Sequence, residues 1–166
     1  MAAALWFPQC LAESYDAQFH YYHARFLSWH DADWKWLKSQ GIAESNLNPN
    51  AVSHAGAAGL MQFMKPAWAE CMRAFGIRSG SRYSARLSIA CSAWYMRRQL
   101  YIWKTPRSTI ERWRFAWASY NAGAGTILKA QRKAGGSIDW GHVSPYTPAE
   151  TREYTKRIER IHKWQN

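Results

Sequence analysis

The chain is poor in cysteine, in acidic side chains and in long apolar runs, and each shortage excludes a class of protein. Three cysteines in 166 residues are too few for a scaffold built on disulfides. No CxxC pair or His/Cys spacing typical of a structural zinc site is present, so we expect no metal. No stretch approaches the roughly 20 apolar residues that span a bilayer. There are no internal repeats and no low-complexity tracts.

Cysteine pairing stays open at the level of sequence. The odd number of cysteines favours buried free thiols as the interpretation of Cys10, Cys71 and Cys91. A bridge between Cys71 and Cys91 is the alternative.

What the chain does have is positive charge and tryptophan. It carries 22 basic and 11 acidic residues, a formal net charge of +11, with 11 tryptophans and a hydrophobic content of 48%. The hydrophobic content indicates a globular protein. The charge favours an anionic partner, such as nucleic acid, anionic lipid or a cell-wall polymer. Clustered Trp and Tyr build a core or stack on flat rings of bases and sugars.

Apolar spacing predicts a mainly α-helical single domain of about six or seven helices, with little or no sheet. We expect helices over 10–29, 32–44, 66–75, 84–103, 108–121, 126–136 and 147–164. Asp31 is a candidate cap for the second helix, and Ser108 with Glu111 has the capping-box spacing. Thr147 with Glu150 repeats that spacing at the last helix, after a loop around 140–146.

Glu44 stands at the end of the second predicted helix. Helical spacing places it on one face with apolar neighbours, and polar residues on the other. The first face is Trp34, Leu37, Gly41 and Glu44, and the second is Lys35, Ser39 and Gln40. Poor hydration and the negative end of the helix dipole both disfavour the carboxylate, and a protonated carboxylic acid is what a general acid requires. The alternative is a Glu44 side chain that bends out to solvent.

The sequence after Glu44 favours a binding site. The run "AGAAGL" has almost no side-chain bulk, so that a ligand can approach the backbone.

Three blocks together carry a resemblance. They are "IAESNLNPNAVSHAGAAGLMQFM", "ASYNAGAG" and "SPYTPAETREYTKRI", in this order along the chain. They resemble the signature blocks of the lytic transglycosylase SLT domain, which has a goose-lysozyme-like fold. The resemblance covers roughly residues 34–163 and departs from the usual pattern at Ala43, Lys65 and Trp68.

The resemblance implies roles for eight residues. Glu44 matches the single catalytic acid and base, and the remaining matches are substrate-binding positions: Ser45, Met61, Gln62, Tyr120, Asn121, Glu150 and Tyr154. Three of these residues also suit purely structural roles. Glu150 fits a capping box, and Tyr120 and Tyr154 continue apolar helix faces that suit core packing.

The implied reaction cleaves peptidoglycan between N-acetylmuramic acid and N-acetylglucosamine. Glu44 would protonate the linking oxygen and then accept a proton from the 6-hydroxyl of the muramic acid, which closes a 1,6-anhydro ring. No metal or organic cofactor is implied.

Two other functions stay open. A muramidase would use the same site but let water attack, which gives products heavier by one water. A basic, Trp-rich nucleic-acid-binding module would bind DNA or RNA with a steep salt dependence, although no nucleic-acid motif is present.

The remaining expectations concern place and assembly. The start "MAAALWFPQC" lacks a basic flank and a clean cleavage signal, so we interpret it as mature sequence without a signal peptide. This interpretation favours a bacteriophage lysin or virion enzyme, made in the host cytoplasm and acting on the cell wall. Residues 1–30 are expected to form an N-terminal helix outside the recognised blocks. We expect a monomer whose partners are peptidoglycan strands and the anionic cell envelope, with no membrane span.

Overall fold

Helices make up the architecture of the part of the chain that the computed structural model describes, residues 15–30 and 32–165. Eight α-helices and one 3-10 turn (Ser144–Tyr146) follow one another, and the helices are α1 Asp16–Leu27, α2 Lys35–Ser45, α3 Lys65–Ala74, α4 Ala85–Ile102, α5 Thr109–Ala122, α6 Ala124–Lys133, α7 Trp140–Val143 and α8 Ala149–Trp164. Within these residues the β pairing consists of isolated bridges that join 52 to 58 and 58 to 63. The prediction of a mainly helical fold is confirmed. None of the helices within residues 15–30 and 32–165 could span a bilayer.

Helix α2 is covered by neighbouring helices on more than one side. It packs against α1, α4 and α8, and every residue from 37 to 43 is buried. Ser39 and Gln40, predicted to lie opposite the apolar face, are therefore buried as well. Even Lys38 is buried, and its ammonium pairs with the Asp16 carboxylate of α1. Periodicity separates the two faces of α2 but does not reveal that neighbouring helices cover both.

The N-terminal boundaries of the first two helices differ from the prediction. Within the described residues α1 starts at Asp16, and residues 10–14 of the predicted helix lie outside them. Asp31 also lies outside them. Among the described residues, the Asp33 carboxylate at the start of α2 accepts a hydrogen bond from the backbone N–H of Lys35 at 3.0 Å.

The capping box predicted at Ser108 is half present, and the one predicted at Thr147 is wrong. The Ser108 hydroxyl accepts a hydrogen bond from the backbone N–H of Glu111, as predicted. Helix α8, however, begins at Ala149 without a side-chain cap. The Thr147 hydroxyl donates to the carbonyl of Ser144 at 2.7 Å, so it stabilises the preceding turn instead.

The predicted loop around 140–146 is in fact a short helix followed by a 3-10 turn. The Asp139 carboxylate caps α7 by accepting from the N–H of Gly141 at 2.6 Å. The Glu111 carboxylate accepts from the N–H of Trp140 at 2.5 Å. These two acids occupy N–H groups that a helix start leaves unpaired. A helix of so few residues shows no periodicity from which to predict it.

A disulfide joins α3 to α4. Cys71 and Cys91 are bonded and fully buried, so the favoured interpretation of free thiols is wrong for this pair. Cys10 lies outside the described residues. Spacing along the chain could not decide the pairing, because it depends on how two separate helices pack.

Most of the tryptophans pack in or against the hydrophobic core. Trp103, Trp113 and Trp117 are almost fully buried, and Trp36 stacks on Trp117 with ring centroids 5.2 Å apart. Trp68, one of the departures from the family pattern, is also buried and donates its indole N–H to a backbone carbonyl.

Candidate active site

A cleft of about 550 Å³ opens where the end of α2 meets the following loop, α5 and α8. Its lining residues are Ala43, Glu44, Ser53, Ala55, Ala57, Gln62, Met64, Tyr120, Asn121, Glu150, Glu153, Tyr154, Arg157 and Arg160. No tryptophan is among them, so any sugar stacking on tryptophan lies outside this cleft.

Glu44 lies in the last turn of α2, partly buried in the wall of the cleft. The Tyr154 hydroxyl donates a hydrogen bond to its Oε1 at 2.5 Å. Burial raises the pKa of Glu44 to about 8, and the nearby Glu150 acts in the same direction. The Tyr154 hydrogen bond and the positive charge of Arg157 act against them. Glu44 is therefore mostly protonated at neutral pH.

Two tyrosines hold the surroundings of Glu44. Burial raises the pKa of Tyr120 and of Tyr154, and the charge of Glu44 adds to this, so both phenols stay neutral. The Tyr120 hydroxyl donates to the carbonyl oxygen of Met61 at 2.8 Å. Tyr154 thus positions the acid itself, whereas Tyr120 joins α5 to the loop.

The backbone of Gln62 is strained, and its side chain is hydrogen-bonded to its own loop. Its backbone φ is +50°, a left-handed value that is uncommon outside glycine. The side-chain amide of Gln62 donates to the carbonyls of Ala51 and Gly59, at 3.2 and 2.9 Å. Because both amide hydrogens are used, the Gln62 side chain offers the cleft mainly its carbonyl oxygen.

Ser45 and Met61 are not among the residues that line the cleft. The Ser45 hydroxyl donates to the carbonyl of Leu60 at 2.7 Å and accepts from the N–H of Asn48 at 3.0 Å. The Met61 side chain is fully buried in the core. The structure places both residues where they connect α2 and the core to the loop.

The small residues of "AGAAGL" are needed where backbones meet. Gly59 has φ +85°, and a Cβ atom there would lie 1.9 Å from the carbonyl oxygen of Arg82. The Arg82 guanidinium in turn donates to the carbonyls of Gly56 and Phe63, at 2.9 and 2.8 Å. The run therefore folds the loop tightly, and Ala55 and Ala57 leave room in the cleft.

Asn121 and Glu150 complete the predicted set. Asn121 accepts a hydrogen bond from the Thr151 hydroxyl at 2.8 Å, which ties the end of α5 to the start of α8. Glu150 is exposed at the rim of the cleft, in the first turn of α8. Six of the eight predicted site residues therefore line one cleft. They are Glu44, Gln62, Tyr120, Asn121, Glu150 and Tyr154.

Sequence reasoning missed the charged residues further along α8. Glu153, Arg157 and Arg160 line the cleft beside Glu150 and Tyr154. The signal was available, because steps of three and four residues from Glu150 and Tyr154 continue one stripe along a helix. Residues 15–30 and 32–165 contain no group of three His, Cys, Asp or Glu side chains able to hold a metal ion.

Comparison by sequence finds a match to a known family. The model of the transglycosylase SLT domain matches residues 32–143. The membrane-bound lytic murein transglycosylase F of Photobacterium profundum is 32% identical over 120 residues, which cover 70% of this chain and 22% of that protein. The protein of the same name from Aliivibrio fischeri is 34% identical over 125 residues, 71% of this chain and 23% of that protein. The chain thus spans about a quarter of the length of these relatives.

Comparison by structure finds the same fold in larger enzymes. The 70 kDa soluble lytic transglycosylase of Escherichia coli matches 91% of this chain and 24% of its own, with a TM-score of 0.73 at 24% sequence identity. An inactive mutant of the lytic transglycosylase Slt of Pseudomonas aeruginosa matches 92% of this chain and 24% of its own, with a TM-score of 0.73 at 21% identity.

Proposed function

Because the chain belongs to the transglycosylase SLT domain family, we propose that it is a peptidoglycan lytic transglycosylase. It cleaves the β-1,4 bond between N-acetylmuramic acid and N-acetylglucosamine and leaves a 1,6-anhydro end. The observation that carries this proposal is the position of the Glu44 carboxyl group in the wall of the cleft, where Tyr154 donates a hydrogen bond to it and burial raises its pKa to about 8. The names of the relatives, lytic murein transglycosylases, support the same activity.

Glu44 acts first as the acid. With a pKa of about 8 its carboxyl group holds a proton at neutral pH, and it donates that proton to the oxygen between the two sugars. The bond from this oxygen to C1 of the muramic acid breaks, and positive charge develops at C1. The N-acetyl group of the same sugar stabilises that charge.

Glu44 then acts as the base. Its carboxylate is stabilised by the Tyr154 hydroxyl and by the charge of Arg157, both of which favour the ionised form. It accepts the proton of the 6-hydroxyl as that oxygen bonds to C1. The acid is restored, no water is consumed, and the nucleophile is part of the bound sugar, which removes the entropy cost of capturing a second molecule.

The other cleft residues position the glycan. We assign the Gln62 carbonyl oxygen, Asn121 and Glu150 to hydrogen bonds with sugar hydroxyl and acetamido groups, because they line the same cleft as Glu44. Ser45 and Met61 contribute indirectly, through the loop that carries Gln62.

The test is the Glu44→Gln variant on purified peptidoglycan, followed by mass spectrometry of the muropeptides. The amide cannot donate or accept the catalytic proton, so we expect a loss of at least about a hundredfold in rate. Wild-type products should carry anhydro ends, lighter by one water than hydrolysed reducing ends. Hydrolysed ends from the wild type would identify a muramidase instead, and full activity of Glu44→Gln would exclude both mechanisms at this site.

The place of action follows from the substrate. We propose that the protein acts on peptidoglycan in the periplasm or cell wall, as a monomer. The relatives named above come from bacteria, so a bacteriophage lysin or virion enzyme stays a prediction. Detecting the protein in purified virions, or in the lysate of an infected host, would test it.

A further inference from the structure

Two arginines lie in the cleft with unneutralised charge. Arg157 and Arg160 are exposed on α8 and line the cleft with Glu44 and Tyr154. Among residues 15–30 and 32–165, neither guanidinium forms an ion pair with a carboxylate. By contrast, the Arg114 guanidinium of α5 donates two hydrogen bonds of 2.8 Å to the Glu159 carboxylate.

The acids of the cleft do not cancel this charge. Glu44 is mostly protonated at neutral pH, and Glu153 is paired with Lys156 at 3.0 Å. Glu150 lies at the other end of the α8 stripe. At a rise of about 1.5 Å per residue it is roughly 10–15 Å along the axis from the two arginines. The cleft therefore has an acidic end and a basic end, with Tyr154 and Glu44 between them.

From this arrangement we propose that Arg157 and Arg160 bind a carboxylate of the glycan substrate and so determine which strands the enzyme prefers. This inference rests on the proposed function, whose substrate carries such groups. A planar guanidinium with several fixed donors matches a carboxylate better than any neutral hydroxyl does. The two arginines lie roughly 5–9 Å beyond Tyr154 along α8, within reach of a substituent on the sugar at the reacting bond.

The substrate offers two sources of that carboxylate. One is the stem peptide, and the other is the lactyl group of muramic acid, which is free only when the peptide has been removed. Three soluble tetrasaccharides separate these sources: one with stem peptides, one treated with an amidase so that the lactyl carboxylate is exposed, and fully N-acetylated chitotetraose (called chitotetraose below), which is neutral and has no carboxylate.

Binding is measured by calorimetry on the full chain carrying Glu44→Gln, so that no probe is cleaved. We expect the peptide-bearing tetrasaccharide to bind roughly tenfold more tightly than chitotetraose, as one charge-assisted contact can provide. Adding Arg157→Gln and Arg160→Gln should abolish this preference and leave the affinity for chitotetraose within about twofold. If only the peptide-bearing probe binds more tightly than chitotetraose, the stem peptide supplies the bound carboxylate. If only the amidase-treated probe does, the lactyl group supplies it, and if both do, the two arginines accept either carboxylate.

The matched control removes the same charge elsewhere. Arg132 and Lys133 are exposed at the end of α6, outside the cleft, so Arg132→Gln with Lys133→Gln should keep the preference. The inference is overturned if the parent shows no preference, or if both double variants lose it equally, since the effect would then be one of net charge. Failure of the proposed function would be recognised by a separate result, the absence of anhydro products from the wild-type chain.

Discussion

At Glu44 several neighbours act on one proton in opposite directions. Burial and Glu150 hold the proton on, while Tyr154 and Arg157 favour its release. An acid that must also serve as a base needs both influences, because its pKa has to lie near the working pH.

The first prediction concerns the alkaline limb of the pH profile. Activity should fall above about pH 8 as Glu44 loses its proton. Because Arg157 lowers the pKa of Glu44, Arg157→Gln should move this limb to higher pH, and Glu150→Gln should move it to lower pH, each by roughly half a unit. The measurement is kcat/KM against pH on a soluble glycan. Arg132→Gln is the control and should leave the limb in place; shifts of the same sign in the Arg157 and Glu150 variants would contradict the assignment.

The second prediction concerns stability. The pKa of Glu44 rises from an ordinary 4.5 to about 8 on folding, so the unfolded chain loses this proton first as the pH increases. The contribution is fully present below pH 4.5 and is lost as the pH rises through 8. Glu44→Gln cannot ionise and should gain on the order of 2–4 kcal/mol of unfolding free energy over wild type at pH 9, and little at pH 4.

Denaturant unfolding at both pH values measures this gain. Glu153→Gln, at an exposed carboxylate, should show no comparable change between pH 4 and pH 9. An equal effect of Glu44→Gln at both pH values would mean that the amide acts by packing and not through the proton.

At the scale of elements, the loop between α2 and α3 depends on one close approach. Gly59 and Gly56 have nearly equal φ values, +85° and +84°, but only a Cβ at Gly59 would meet a backbone atom, the Arg82 oxygen at 1.9 Å. Gly56→Ala should therefore cost about 1 kcal/mol for its backbone conformation alone. Gly59→Ala should cost roughly 3 kcal/mol or more and lower activity, because the loop that carries Gln62 must move. Urea unfolding measures the loss of unfolding free energy in each variant. Equal losses would show that Gly59 and the Arg82 carbonyl oxygen are not in close contact in solution.

The disulfide provides a second prediction at this scale. Cys71 and Cys91 are 20 residues apart, and closing a loop of this length stabilises a fold by about 3 kcal/mol. A reductant should therefore lower the melting temperature of the wild type, and Cys71→Ala with Cys91→Ala should be less stable but insensitive to the reductant. Cys10→Ala should behave as the wild type does, and a reductant effect that persists in the double variant would exclude this bridge as its source.

The longer helices could be predicted because the periodic spacing of their apolar residues extends over several turns. The boundaries of α4 and α5 agree with the prediction to within a residue. Helix α7 could not be predicted, since four residues show no period and its start depends on Glu111, a residue 29 positions away. Likewise, nothing in the spacing of Ser39 and Gln40 shows that α8 covers them.

The candidate site, like the fold, could be predicted from the sequence only in part. The position of Glu44 on an apolar face follows from helical spacing, and the structure confirms that this carboxyl group is partly buried. That Tyr154 hydrogen-bonds Glu44 depends on the packing of two helices 110 positions apart. Met61 was assigned to the cleft from a motif, which fixes the residue type but does not distinguish a side-chain contact from a backbone one.

At the scale of the whole molecule, the net charge of +11 should govern how the protein finds its substrate. Binding to purified sacculi should weaken strongly between about 50 mM and about 300 mM NaCl, because the Debye length, about 10 Å at 0.1 M salt, shortens as salt is added and screens the exposed charges. Binding of chitotetraose, which is neutral, is the control and should change little. If DNA competes for the protein better than sacculi do at the same salt concentration, the nucleic-acid-binding alternative gains support.

The two helices that meet at Glu44 are also joined at their far ends. Lys35 of α2 donates to the backbone carbonyl of Gln165, just past α8, and the Gln165 amide donates to the Ser39 hydroxyl at 2.7 Å. With Tyr154 bonded to Glu44 at the other end, α2 and α8 are fastened as an antiparallel pair. Their amide hydrogens should consequently exchange with solvent in a single cooperative opening, in which the Glu44 carboxyl group and the Tyr154 hydroxyl separate as both helices unfold together.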